Sequence, residues 1–353
     1  PLTLRGVTFP NRIWLAPMCQ FSIAEGDGVP RDWHLVHLGA RAAGGYGLII
    51  AEATAVSPEG RITPRDAGLW TDEQAAAWAR IVGFLHSSGT LAGVQLSHAG
   101  RKASSWWPWA GKAGSVPEDD GGWPVLAPSP VPFPGMATPR ELTIDEIGGV
   151  VAAYAAAAGR AAAAGFDVVE IQAGHGFLVH EFLSPLSNRR DDAYGGALEE
   201  RARLLLEVVD AVRSTWPEDK PVLVRLSATD WLPGGVDLDE AAQVAAWVGA
   251  RGVDLVDVST GGLLPAPIPA TAGYQVPHAR EIRERTGLPV SAVGLITDPE
   301  HAEQILLDDA ADVVLVGRVA MRDPMWPRRA AHVLEASAAA LPWPPQYLRG
   351  AWG

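Results

Sequence analysis

Cysteine is almost absent: Cys19 is the single thiol in 353 residues. One thiol makes no intramolecular disulfide and cannot hold an iron–sulfur cluster, so a disulfide-stapled scaffold and that redox centre are both excluded. Basic charge is also scarce. Lys and Arg number 28 against 41 Asp and Glu, a formal net charge of −13, and no Lys/Arg run concentrates what there is. A nucleic-acid partner needs a basic surface and is not expected. Long apolar runs are missing as well. The Ala-rich stretch 150–165 is interrupted by Arg160 and by glycine and is too short to span a bilayer, so no membrane partner is expected. The opening PLTLRGVTFPNR has no apolar signal core, and a cytoplasmic location is expected.

What the chain does have is a globular balance, 48% hydrophobic and 20% charged, and a regular alternation of elements. Eight short apolar runs read as strands: IWLAP (13–17), LIIAEATA (48–55), LAGVQLSH (91–98), FDVVEIQA (166–173), PVLVRLSA (221–228), DLVDVSTG (254–261), PVSAVGLI (289–296) and ADVVLVGR (311–318). Segments of helical period lie near 31–44, 72–88, 143–165, 198–214, 238–251, 276–286, 298–308 and 325–336. Eight strand–helix units predict a closed (β/α)8 barrel of the TIM type, with all of 1–353 as one domain. A doubly wound open sheet with a second domain is the alternative. It would need a linker, and the only irregular stretch of sufficient length is 104–142, rich in Pro, Gly and Trp. That stretch follows the third strand, at the end where a barrel builds its site, and is expected to be a lid or else a surface insertion.

The strands end in polar residues. The first runs into Met18 and Cys19, the second carries Glu52 and Ala53, and the third carries Gln95 and His98. Gln172 and His175 close the fourth, Arg225 interrupts the fifth, and Gly317 and Arg318 follow the eighth. A barrel gathers such groups at its C-terminal face. A buried cation such as Arg225 requires an anionic or accepting partner. That partner is either a barrel carboxylate such as Glu170, or an oxygen or electron-rich ring of a cofactor. Gly294, Gly317 and Arg318 suit a phosphate, because glycine lets backbone N–H groups approach an anion and Arg binds it through two parallel bonds. Among nine histidines, the HLVH pair (34–37) has no acidic third ligand nearby, and His98, His175 and His180 lack the strand-end Asp of a metallohydrolase. No metal is expected.

With these residues placed, the chain resembles the Old Yellow Enzyme family of FMN-dependent ene-reductases, most closely its bacterial subgroup with a cysteine beside the flavin. The resemblance rests on LAPMCQF (15–21), LIIAEATAV (48–56), GVQLSHAGRKA (93–103), HGFLVHEFLSPLSNRRDDAYGG (175–196), VRLSA (224–228), VGRVAMRDP (316–324) and QYLRG (346–350). It implies non-covalent FMN across the barrel's C-terminal face. Ala16, Pro17, Met18 and Ala53 would contact the isoalloxazine, and Gln95 and Arg225 its pyrimidine edge. Gly294, Gly317 and Arg318 would hold the phosphate, and Cys19 would tune the flavin, a buried structural thiol being the alternative.

The implied reaction takes hydride from NAD(P)H, with NADPH favoured, to flavin N5 and on to an activated alkene or quinone. Two strand-four side chains polarise the substrate oxygen and a tyrosine donates the proton. Arg349, in the tail 337–353, would reach a neighbouring subunit's site in a homodimer or homotetramer.

Three positions depart from the family pattern. Its His-x-x-His/Asn-Gly-Tyr is here Gln172-x-x-His175-Gly-Phe177, and the tyrosine after the cysteine is Phe21. Gln still donates an N–H, but Phe donates no proton. The expectation is an NAD(P)H oxidoreductase of enones, quinones or nitro compounds with an atypical Gln172/His175 clamp beside Phe21 and Phe177. The alternatives are a flavoenzyme for another reaction, such as ketone desaturation, and a flavin-binding protein with negligible turnover.

Overall fold

The computed structural model describes residues 1–337 and 339–352; Ala338 and Gly353, both in the tail expected at 337–353, lie outside the described residues. Eight parallel strands close into a barrel. They are β1 (Ile13–Leu15), β2 (Leu48–Ala55), β3 (Leu91–Ser97), β4 (Val168–Ala173), β5 (Val222–Ser227), β6 (Leu255–Ser259), β7 (Val290–Ala292) and β8 (Val313–Val316). Between and after them run α1 (Asp32–Gly44), α2 (Asp72–Ser87), α3 (Ile144–Ala163), α4 (Leu198–Thr215), α5 (Leu238–Ala250), α6 (Val276–Thr286), α7 (Pro299–Leu307) and α8 (Trp326–Val333). Every expected strand and helix is present, with ends shifted by a few residues. The caps explain the helix starts: Thr71 and Thr143 each accept from the third residue on, and Asp237 and Asp298 do the same.

Side chains alternate along a strand, so every second residue faces the barrel interior. The lowest interior level is apolar: Trp14, Leu48, Val168, Leu223, Leu255 and Val313 form one cluster with Leu4 and Phe9. The last two come from an N-terminal hairpin, Leu2–Leu4 paired with Val7–Phe9, that closes the barrel floor. Two residues up the same strands stand Glu170, Arg225 and Asp257, and two further up Gln172, Ser227 and Ser259. The interior thus turns from hydrocarbon to polar along its axis, and the chemistry is confined to one end.

One irregularity matters here. The pairing of β2 with β3 slips by a residue between Ala51 and Ala53. This bulge puts Ala53 beside Gln95 on the inner face and leaves Glu52 outside the ladder. The segment 104–142 holds two short paired strands, Leu126–Ala127 and Arg140–Glu141, and a single helical turn at Glu118–Asp120. Among the described residues, no helix is long and apolar enough to cross a membrane.

Candidate functional site

At the C-terminal end of the barrel a cavity of about 390 Å³ is lined by His175, Arg225, Ser259, Gly294, Gly317 and Arg318, among others. Five of the residues expected at the site therefore meet in one space. Met18 joins them from β1's continuation, since its Sδ lies 3.4 Å from where a Cβ on Gly317 would stand. Ala16 is fixed just below by its N–H donating to the Val316 carbonyl at 3.1 Å. Gly294 has φ of 121°, and a Cβ there would meet Gln275 Nε2 at 2.9 Å, so only glycine keeps this side open.

The polar side chains of β3 and β4 form a connected chain. Gln95 Nε2 donates to Glu170 Oε1 at 2.6 Å, and Gln172 Nε2 donates to Gln95 Oε1 at 3.3 Å. Gln172 Oε1 accepts from the Gly174 N–H at 3.0 Å, which fixes the amide's orientation. Its nitrogen therefore also faces His175 Nδ1, 3.3 Å away. That contact makes Nδ1 the acceptor, so the imidazole proton sits on Nε2 and is donated to Ser259 Oγ at 2.6 Å. Burial first, then Arg225, Lys102 and His180, push His175 well below the usual histidine range, so the ring is neutral.

His175 has φ of 59°, a left-handed conformation rare for a residue with a Cβ. It is held from both sides. Its N–H donates to Ser227 Oγ at 2.9 Å, and its carbonyl accepts from Lys102 Nζ at 2.7 Å. Lys102 also donates to the Gly262 carbonyl. Its ammonium stands 4.5 Å from the Phe133 ring centroid and 5.8 Å from that of Phe177. Phe177 packs against the cluster of Ala99, Ala103 and Val125, the last from the 104–142 segment.

Arg225 finds its partner inside the barrel. Its Nε lies 3.1 Å from Asp257 Oδ2, on the strand paired with its own, while Glu170 on the other side is the residue the sequence reading had offered for that ion pair. Cys19 is half-buried. Burial, reinforced by Asp66 and Glu52, raises its pKa well above the usual thiol range, so it is a thiol and not a thiolate. Phe21, with φ of 48°, meets the exposed Trp109 of the 104–142 segment edge-on, 6.0 Å between centroids. Pro17, Met18 and Cys19 lie between these points, anchored where the Gln20 N–H donates to Glu52 Oε2 at 2.8 Å. Arg349 sits in the exposed turn Pro345–Gly350, away from its own chain's cavity.

His98, His180 and His34 each have a local partner. His98 Nδ1 accepts from the Gly100 N–H, His180 faces Asp230 at 3.0 Å, and His34 faces Glu52 at 3.1 Å. Sequence reading missed Ser259, Lys102 and Gln275, which accepts from Thr260 Oγ1 at 2.8 Å. The first could have been found: it follows Asp257 by one strand period. Gln275 arrives from a loop and carries no such signal.

Residues 1–337 match the NADH:flavin oxidoreductase / NADH oxidase family. An NADPH dehydrogenase of Listeria innocua serovar 6a is 47% identical over 350 residues, 99% of this chain and 97% of that protein. One from Halalkalibacterium halodurans is 44% identical over 349 residues, again 99% and 97%. Among solved structures, morphinone reductase superposes with a TM-score of 0.79 at 32% identity, over 96% of this chain and 89% of that one. The Old Yellow Enzyme homologue from Zymomonas mobilis does so at 0.77 and 29%, over 98% and 96%. The chain belongs to the NADH:flavin oxidoreductase / NADH oxidase family, the Old Yellow Enzyme family of FMN-dependent NAD(P)H oxidoreductases.

Proposed function

We propose that the protein uses NADPH to reduce quinones, enones or nitro compounds, with the substrate oxygen held by Gln172 and His175. The supporting observation is the single cavity that joins Arg225 and His175 to Gly294, Gly317 and Arg318. A guanidinium lies at one end and an open, glycine-lined recess with an exposed arginine at the other. That set fits FMN, an electron-poor ring system carrying a phosphate. The names of the NADPH dehydrogenase relatives favour NADPH as reductant.

Bound there, FMN supplies a two-electron carrier between nicotinamide and substrate. Arg225 places positive charge at the pyrimidine edge, moderated by Asp257. Gln95 presents an amide whose orientation Glu170 dictates. Gly294 and Gly317 leave room for phosphate, and Arg318 neutralises it. Cys19, held as a thiol, contributes a weak neutral donor beside the ring.

The clamp residues hold their donors in internal bonds: both N–H groups of Gln172 and the single N–H of His175 already have acceptors. A substrate oxygen must displace one of these acceptors. Since one hydrogen bond replaces another, the exchange favours an oxygen gaining negative charge over a neutral carbonyl. Phe177 adds no proton, which favours acceptors protonated by solvent. Quinones meet both conditions best.

The test is an anaerobic visible spectrum of the purified protein, before and after NADPH, with a quinone or a cyclic enone then added to separate samples. Flavin bands that bleach and return quickly with quinone, and more slowly with enone, are expected. A colourless protein, or one that stays bleached with both, would overturn the proposal.

A further inference from the structure

Three ionisable side chains share the middle level of the barrel: Glu170 on β4, Arg225 on β5 and Asp257 on β6. The level holds two carboxyls and one guanidinium. Asp257 takes the cation, with its Oδ2 3.1 Å from Arg225 Nε and its Oδ1 accepting from Ser291 Oγ at 2.7 Å. Glu170 is fully buried and has no cation of its own. Its Oε1 accepts from Gln95, and no N–H of the described residues donates to its Oε2; in the protonated acid the carboxyl donates to Asp257. The groups around it are Gln95, Arg225 and Asp257 from other strands and Gln172 from its own, with His175 above and the apolar floor below. Burial and then Asp257 push Glu170 up to about 8, so at neutral pH it is an uncharged acid.

We propose that Glu170 is the positioning residue of this site: one buried carboxyl sets the amide of Gln95 and, through it, the donor of Gln172. The inference rests on the reading of Gln95 as flavin holder and Gln172 as oxygen clamp. The orientation passes along the chain. An acceptor at Glu170 Oε1 turns the nitrogen of Gln95 toward it and the oxygen away. That oxygen draws the nitrogen of Gln172, whose second N–H meets His175 Nδ1 and so selects the Nε2–H tautomer. Glu170 touches neither substrate nor cofactor. It acts by removing the alternative orientations of groups that do. As an ionisable group under the pyrimidine edge it also adds negative charge there above its titration point, which opposes adding electrons to a bound flavin.

Two holoenzyme variants separate the effects. Glu170→Gln keeps an acceptor oxygen for Gln95 and imitates the protonated acid; Glu170→Leu removes the acceptor. The readouts are the dissociation constant of an unreactive phenol, followed by flavin absorbance, and the flavin midpoint potential from pH 6 to 10. Expected is phenol binding about tenfold weaker in Glu170→Leu, the worth of roughly one hydrogen bond. Glu170→Gln should bind within about twofold of wild type at pH 7, that same hydrogen bond being kept. The wild-type potential should show an extra downward bend near pH 8, missing from Glu170→Gln.

Wild-type phenol binding in Glu170→Leu, or a bend that persists in Glu170→Gln, would overturn the proposal. Should Glu170→Leu not fold, Glu170→Ala, which also removes the acceptor for Gln95, takes its place in the phenol titration with the same expected loss. Gln172→Ala is the control for the underlying reading. If it binds phenol like wild type, the clamp assignment fails whatever Glu170 does. If it loses phenol while Glu170→Leu does not, only the positioning role fails.

Discussion

The side-chain oxygen of Gln95 accepts a hydrogen bond from the side-chain nitrogen of Gln172 at 3.3 Å. This contact joins the third strand to the fourth and couples the residue proposed to hold the cofactor to the one proposed to hold the substrate.

Gln172→Ala leaves Gln95 Oε1 and His175 Nδ1 without their donor. Removing one well-aimed oxyanion donor costs about 10²–10³ in rate. Because the Gln172 donors are engaged internally at rest, a smaller drop in kcat/KM for a cyclic enone, about tenfold, is expected from that interaction. FMN content should be unchanged. Steady-state kinetics together with the flavin absorbance of the purified variant check both.

Phe177→Tyr adds a proton donor without changing the shape that packs on Ala99, Ala103 and Val125. A positioned general acid is worth about 10²–10⁴ in rate. Reoxidation by an enone is expected to accelerate by roughly 10²-fold, the low end of that range, and reoxidation by a quinone to stay the same. Stopped-flow traces of the second half-reaction distinguish the two.

Arg318→Ala removes an exposed cation that has little to do with packing. A charge-assisted hydrogen bond contributes about 1.5–3 kcal/mol, so FMN affinity is expected to fall roughly tenfold to hundredfold. The melting temperature of the apoprotein should not move. A fluorescence titration of apoprotein with FMN and a thermal melt provide the two measurements.

Glu181 gives a pH dependence away from the cavity. It is fully buried beside Arg101, whose N–H it accepts at 2.9 Å, and burial pushes it up to about 8. In the folded chain it therefore binds a proton that the unfolded chain has released above the ordinary glutamate range. Its contribution to stability is full below that range and is lost as the pH rises through about 8. Within the window the slope is about 1.4 kcal/mol per pH unit. Glu181→Gln should flatten the fall in denaturation midpoint between pH 6 and 8, and an unchanged slope in chemical melts would sink this assignment.

The barrel was legible because its signals are local and periodic. Val168, Glu170 and Gln172 alternate with residues that pack outward, and Thr71 and Thr143 announce their helices by the residue type at the cap. The same alternation would have paired Arg225 with Asp257, which stand opposite each other in register. Glu170 drew attention first because it lies in the conspicuous run ending at His175. Contacts made by loop residues were a different matter. Gln275 reaches Thr260, and Lys102 reaches the carbonyl of His175, across sequence distances that no period spans. Nor could spacing decide between Glu52 and Ala53 for the inner face, since a regular strand would have turned Glu52 inward.

That bulge in β2 gives Glu52 an independent role. Ala51 pairs with Val94 and Ala53 with Gln95, so the ladder runs as if Glu52 were not in the strand. Its carboxylate is spent instead on the Gln20 N–H and on His34 of α1. The sheet's register and the anchoring of the 16–21 loop are therefore separable. A change at position 52 re-sets the loop that carries Met18, Cys19 and Phe21 while Ala53 keeps its place opposite Gln95, and the lower face of the site is adjustable without redrawing the barrel.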